Sequence, residues 1–190
     1  KHGQAAKRYA RANGHRPYKI AFCFLLFAFC SAAFATTYKT LTIDEMIEQT
    51  DIAFLGEVTS LETIDRNGEP WTRVTFRVIE PLLATEKDAT VTLTFYGGTL
   101  SNSVSVTVNL MPQFTEQEEV LILAYNDELY SPVVGFRQGL WRNATLGLRD
   151  EIGRALTLNE DGTLSLGGTG GSTADILQTL REALERRGTQ

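Results

Sequence analysis

The run Ile52-Ala-Phe-Leu-Gly-Glu-Val-Thr-Ser-Leu-Glu-Thr-Ile64, followed by Asp65-Arg-Asn-Gly-Glu69 and by Trp71-Thr-Arg-Val-Thr-Phe-Arg-Val-Ile79, decides the fold. The first segment is apolar in its first half and alternates in its second. That is the pattern of a long strand that leaves a core and becomes half exposed. In the last segment Val74, Phe76 and Val78 share one face, and Arg73, Thr75 and Arg77 the other, as in a strand buried on one side. Asn67-Gly68 between them tolerates positive φ, so the two segments read as one hairpin. Pro81 marks the expected end of the second strand, since it has no N–H for a ladder. Gly56 is where so long a first strand can bend to serve both halves of a barrel.

Outward from this hairpin, Thr90–Tyr96 predicts a third strand, with Val91, Leu93 and Phe95 inward and Gly97-Gly98 ending it. Residues 101–111 alternate weakly and read as an excursion or extra hairpin. Glu119–Tyr125 is apolar enough for a central fourth strand. Residues 130–136 and 140–142 read as a fifth strand, interrupted by Gly135 and Gly139. Leu156–Leu166 is a small hairpin around an Asp-Gly turn, and 167–171 a glycine-rich linker. Thr42-Ile-Asp-Glu45 is a capping box opening a short helix to about Gln49. Ser172-x-x-Asp175 caps a C-terminal amphipathic helix with Ile176, Leu177, Leu180, Ala183 and Leu184 on one stripe. The whole predicts a mainly β protein: a small five-stranded OB-like barrel with a short helix at the front and an amphipathic helix at the end, a β-sandwich being the alternative. Phe54, Val58, Val74, Phe76, Val78, Val91, Leu93, Phe95, Leu121 and Leu123 are expected to share its one core.

Composition divides the chain. Residues 1–19 hold six of the 18 Lys and Arg and none of the 23 Asp and Glu. Residues 20–35 carry no charge and end in Ala33-Phe34-Ala35, the small-x-small pattern of a signal peptidase site. The apolar run is shorter than the about 20 residues that span a bilayer. We therefore expect a signal peptide with a basic N-terminal extension over 1–35, an OB-like domain over 36–145, a hairpin and Gly-rich linker over 146–171, and a helix over 172–190. The expected location is secreted or periplasmic, with membrane contact only through the signal segment if it stays uncleaved. From Thr36 onward twelve basic residues face 23 acids, a net charge of about −11, and the basic ones are scattered, which argues against nucleic acid, and no nucleic-acid partner is expected. This part also holds no His and no Cys, which removes Ser-His-Asp and Cys-His catalysis, Cys/His zinc sites, disulfides and haem ligation.

The stretches "TDIAFLGEVTSLETI", "TRVTFRVIEPLL", "VTLTFYGG" and "FTEQEEVLILAYND" resemble the netrin-like OB-fold of tissue inhibitors of metalloproteinases, over about residues 50–126. Members of that family chelate their target's zinc through an N-terminal Cys. Here the residue after the cleavage site is Thr36 and the family cysteines are missing, so the resemblance implies the fold without that mechanism. The chain is also similar to a group of secreted bacterial proteins marked by "G-G", "P-x-F-x-x-G-E-x-V-L-x-L" and "V-V-G-x-x-Q-G". These read here as Gly97-Gly98, as Pro112 to Leu123 with Gln117 in place of the Gly, and as Val133 to Gly139. That similarity implies a secreted location and no particular activity.

Carboxylates are the main catalytic groups left, but a hydrolytic pair must stand about 5–10 Å apart across a cleft. Glu116, Glu118 and Glu119, Asp127-Glu128, and Asp150-Glu151 read as turn acids that nothing pairs. Asp65-x-Asn67-Gly68 opens like a calcium loop and then lacks the later ligands. No catalytic residue, metal ligand or cofactor is assigned. Binding residues are expected where aromatic and Arg content meets glycine turns: Tyr96, Gly97 and Gly98, and Arg137, Gln138 and Trp141. The expected function is a secreted, non-enzymatic module, protease-associated or inhibitor-like, for a protein or peptide partner in the exported compartment. A carboxylate-dependent hydrolase and a structural envelope accessory protein are the alternatives.

Overall fold

The computed structural model describes residues 39–187, so the expected signal segment over 1–35 lies outside the described residues. The chain runs α1 (Ile43–Glu48), β1 (Ile52–Arg66), β2 (Glu69–Leu83), β3 (Thr90–Tyr96), β4 (Gly98–Thr99), β5 (Ser105–Val106), β6 (Glu119–Ala124), β7 (Leu140–Ala144), β8 (Gly147–Arg149), β9 (Leu156–Leu158), β10 (Leu164–Leu166) and α2 (Thr173–Arg187). It is mainly β. Six strands form one antiparallel sheet in the order β3-β2-β1-β6-β7-β8, and β4–β5 and β9–β10 are separate two-stranded hairpins.

The long hairpin is where the sequence places it. Asn67 and Gly68 take φ of 58° and 85°, and the Gly68 N–H donates to Asp65 Oδ1 at 2.6 Å. The Asp65 motif is thus a hairpin turn. The register slips between Leu55 and Gly56, at the glycine expected to bend the strand. A Cβ on Gly56 would lie 2.9 Å from the Phe54 ring and 3.1 Å from the Arg77 carbonyl oxygen. Pro81 does not end β2, which continues to Leu83. Pro81 lies opposite Phe54 beside an irregular step, and β3 pairs β2 only as far as Arg77, so one side of β2 needs no N–H there.

Barrel closure is not found. The edge strands β3 and β8 do not pair, and the sheet has six strands where five are expected. The segment expected as a fifth strand over 130–136 explains the opening. It makes one bridge, Ala124 to Val133, and one bond from the Tyr96 N–H to the Tyr130 carbonyl at 2.8 Å. Gly135 and Phe136 then turn at φ 59° and 66°, and only Leu140–Ala144 pairs as a strand. The next strand, β8, lies beyond residue 145, so the sheet continues into the segment read as hairpin and linker.

Both faces of the sheet are covered. On the inner face Phe54, Val58, Val74, Phe76, Val78, Leu93 and Phe95 meet Val120, Ile122 and Ala124, with Val91 packed at the margin. On the outer face Ala53, Leu55, Leu121, Leu123 and Trp141 meet α1, the β9–β10 hairpin and the Ile176, Leu177, Leu180 and Leu184 stripe of α2. Leu121 and Leu123 therefore belong to the second core, not the first. β6 is apolar at every position from Val120 to Ala124, so alternation could not show which residues face which way.

The capping box of α1 is complete. Thr42 Oγ1 accepts the Glu45 N–H at 3.1 Å, and Glu45 accepts the Thr42 N–H at 2.9 Å. At its other end Arg187 from the last turn of α2 donates to the carbonyls of Ile47 and Glu48 at 2.9 and 3.1 Å, and to that of Thr50. One guanidinium thus satisfies carbonyls that a helix end leaves open.

Candidate functional site

The six expected binding residues fall into two separate places. Tyr96, Gly97 and Gly98 line a cavity of about 260 Å³ with Phe95, Met111 and Phe114. The glycines are required by the backbone: their φ values are 110° and 128°, and a Cβ on Gly98 would sit 2.8 Å from Thr72 Oγ1. Hydroxyls of Thr72, Thr99, Ser105 and Thr107 rim this cavity, and Tyr96 is its one titratable lining group. Such a wall suits an uncharged or apolar group and offers no carboxylate for acid–base chemistry.

Arg137, Gln138 and Trp141 lie elsewhere, and each has structural work. Gln138 accepts the Leu41 N–H at 2.8 Å and donates to the Lys39 carbonyl at 2.9 Å, tying the chain ahead of α1 to the 135–139 turn. Arg137 pairs with Glu151 at 3.0 Å. Trp141 is 1% exposed in the outer core, so its ring cannot meet a partner without opening that core. Its indole N–H has no partner among the described residues.

The acids are largely engaged too. Glu118 pairs with Arg142 at 3.1 Å, and Arg142 also reaches Glu151 at 3.8 Å. Glu119 accepts from Asn143 at 2.7 Å, and Asp150 pairs with Arg154 at 2.7 Å. Guanidinium and amide partners thus occupy these carboxylates. No group of three Asp, Glu, His or Cys side chains able to hold a metal comes together among the described residues.

A third group, missed in the sequence apart from Tyr96, stands between β3 and the loop after β6. Trp71 stacks on Tyr130 with centroids 5.9 Å apart at 20°, and meets Tyr96 edge-on at 5.1 Å. Tyr96 and Tyr130 are 4.8 Å apart. The Arg66 guanidinium lies 5.0 Å from the Trp71 ring centre and 3.7 Å from Glu128. The hairpin register accounts for the assembly: Trp71 lies opposite Tyr96 across β2 and β3, and the Tyr96–Tyr130 backbone bond brings in the third ring. Burial holds the Tyr96 hydroxyl above its ordinary value of 10.0, and the charges of Glu69 and Tyr130 add to this. Tyr130 stays 61% exposed and Leu129 beside it 41%. Trp71 and Leu129 line a second cavity of about 210 Å³ with Arg66, Glu128 and the β3 residues Val91–Thr94. The signal in the sequence was three aromatic residues at strand ends and turns, but which of them meet depends on pairing.

Comparison with family models, curated proteins and solved structures finds no match to this chain. No helix among the described residues is long and apolar enough to cross a membrane.

Proposed function

We propose that this chain is the non-enzymatic binding module of an exported protein, and that its partner is another protein or a peptide. The observation that carries the reading is the Trp71–Tyr96–Tyr130 stack with Arg66, which leaves Tyr130 and Leu129 exposed beside a cavity. Aromatic and Arg side chains anchor protein interfaces because they bring much area with little conformational freedom to lose. An OB-like reading of the sheet draws support from its long, bulged first hairpin, and OB-type modules use the loops at one end as binding surfaces. Export rests on the charge division and the Ala33-x-Ala35 end of the first 35 residues.

Selection of random peptides on the purified protein tests this. Selected ligands should lose at least about tenfold in affinity with Tyr130→Ala, the loss of one interface anchor, and keep it with Arg137→Ala. Turnover of a peptide or glycan library, abolished by one acid-to-amide change, would overturn the reading in favour of a hydrolase.

A further inference from the structure

We infer that the outer edge of β3 is a docking strand for an extended, basic peptide segment, which adds to the sheet in the cleft between β3 and residues 125–132. The inference rests on the binding-module reading and names the kind of partner.

Backbone alternation exposes the edge. The Tyr96 N–H points away from β2, toward the Tyr130 carbonyl. In an antiparallel ladder every second residue points the same way, so Thr94 and Thr92 also direct their N–H and C=O away from β2. No hydrogen bond from another described residue meets those groups. The loop after β6 thus closes the edge at Tyr96 and leaves it open further along.

This edge lacks the usual protection. Thr90–Tyr96 contains no charge and no proline, and its pairing with β2 runs without a register shift. The opposite edge, β8, is three residues long, and its Arg149 is bridged to Ala155. The cavity of about 210 Å³ lies along the open part of β3, where Val91, Leu93, Ile52, Leu129 and Pro132 offer apolar walls. An added strand would place alternate side chains against those walls, the mode in which main-chain bonds supply affinity and side-chain pockets supply choice.

Charge selects the occupant. Asp127 and Glu128 line the cleft, Asp51 binds the Asn126 N–H at 3.1 Å, and Glu69 acts on Tyr96. Against these stand Arg66, already paired with Glu128, and, across from Thr94 and Thr90, Arg73 and Arg77, paired with Glu62 and with Glu57 and Asp88. A second copy of the chain would bring the same acids against these, whereas a basic segment is drawn in.

A labelled heptapeptide alternating lysine and valine, titrated into the purified protein, is the test, with a glutamate–valine heptapeptide as control. Fluorescence anisotropy should show binding of the lysine peptide that weakens as salt rises. Hydrogen exchange at the Thr92 and Thr94 amides should slow on binding. Thr92→Pro, which removes an outward N–H, should weaken binding about tenfold or more. Equal binding of the glutamate peptide, or binding without protection of Thr92 and Thr94, overturns the inference. So does protection that grows with protein concentration without peptide, which would give the edge to a second copy. If Thr92→Pro fails to fold, the exchange of the unaltered protein decides. Selected ligands that need Tyr130 and leave Thr92 and Thr94 unprotected overturn the edge alone. Absence of any Tyr130-dependent ligand overturns the binding module itself.

Discussion

Phe76 has no exposed surface, and its ring meets Phe54 at 5.5 Å and Phe114 at 5.6 Å. It joins the long hairpin to the loop ahead of β6. Phe76→Ala is expected to cost about 3–5 kcal/mol in denaturant unfolding, because the packed rings around it cannot collapse into the space. A loss under about 1 kcal/mol would mean that the site is exposed in solution. Tyr96 acts on stability through its proton. Its proton is held by burial and by nearby negative charge, so the folded state binds it more tightly than the unfolded chain does. The resulting stability is present below the ordinary phenol value of 10.0 and is lost as pH rises through the higher folded value. Phenolate absorbance should show one late-titrating tyrosine, missing in Tyr96→Phe. Glu45 shifts in the opposite direction. The bond from Lys39 first, then the Thr42 backbone, hold its carboxyl below 4.5, so the cap of α1 weakens as pH falls through that lowered value.

Among the elements, β1 contributes to both cores and the two helices are tied together at their ends. Side-chain alternation along β1 contributes Phe54 and Val58 to the inner core and Ala53 and Leu55 to the outer one, and the register slip at Leu55–Gly56 leaves that phase unchanged. Gly56→Ala would press a methyl group against the Phe54 ring and the Arg77 carbonyl. We expect it to destabilise by about 1–3 kcal/mol, as overpacking does, with Phe54→Ala in the same chain recovering part of that loss. The link between α1 and α2 depends on Arg187, whose guanidinium donates to two carbonyls in the last turn of α1 and to that of Thr50 just beyond it. Arg187→Ala should cost about 1.5–3 kcal/mol, the range for bonds to a charged donor. Faster amide exchange should follow in α1 but not in β2, to which Arg187 makes no hydrogen bond.

The whole molecule is held by two cores on opposite faces of one sheet, with β1 and β6 common to both. Neither core survives loss of those strands. Heat or denaturant should therefore unfold the described residues in one transition, as small single domains do. Trp141 in the outer core and Trp71 near the inner one allow a direct check: Trp71→Phe and Trp141→Phe proteins should each report the same midpoint as their own backbone circular dichroism. Two separated fluorescence transitions would show that the helical face melts alone.

The sequence alone determined the elements whose signals are local. Val74, Phe76 and Val78 alternate with charged or hydroxyl residues, Asn67-Gly68 demands positive φ, and Thr42 with Glu45 builds a cap within one turn, so β2, the hairpin turn and α1 were legible. Three matters depended on pairing across distance. The uniformly apolar β6 hides its phase until β1 fixes one face inward. The segment 130–136 carries strand-like residues, yet the turn at Gly135 and Phe136 lets it pair only at Tyr130 and Val133, and this leaves β3 with an open edge. Trp71, Tyr96 and Tyr130 lie far apart in sequence, and only Tyr96 of them, with Trp141, is expected from the sequence as an anchor. Register brings the first three together at the surface and turns Trp141 into the core, because side-chain direction in a sheet follows from the partner strand and not from the residue.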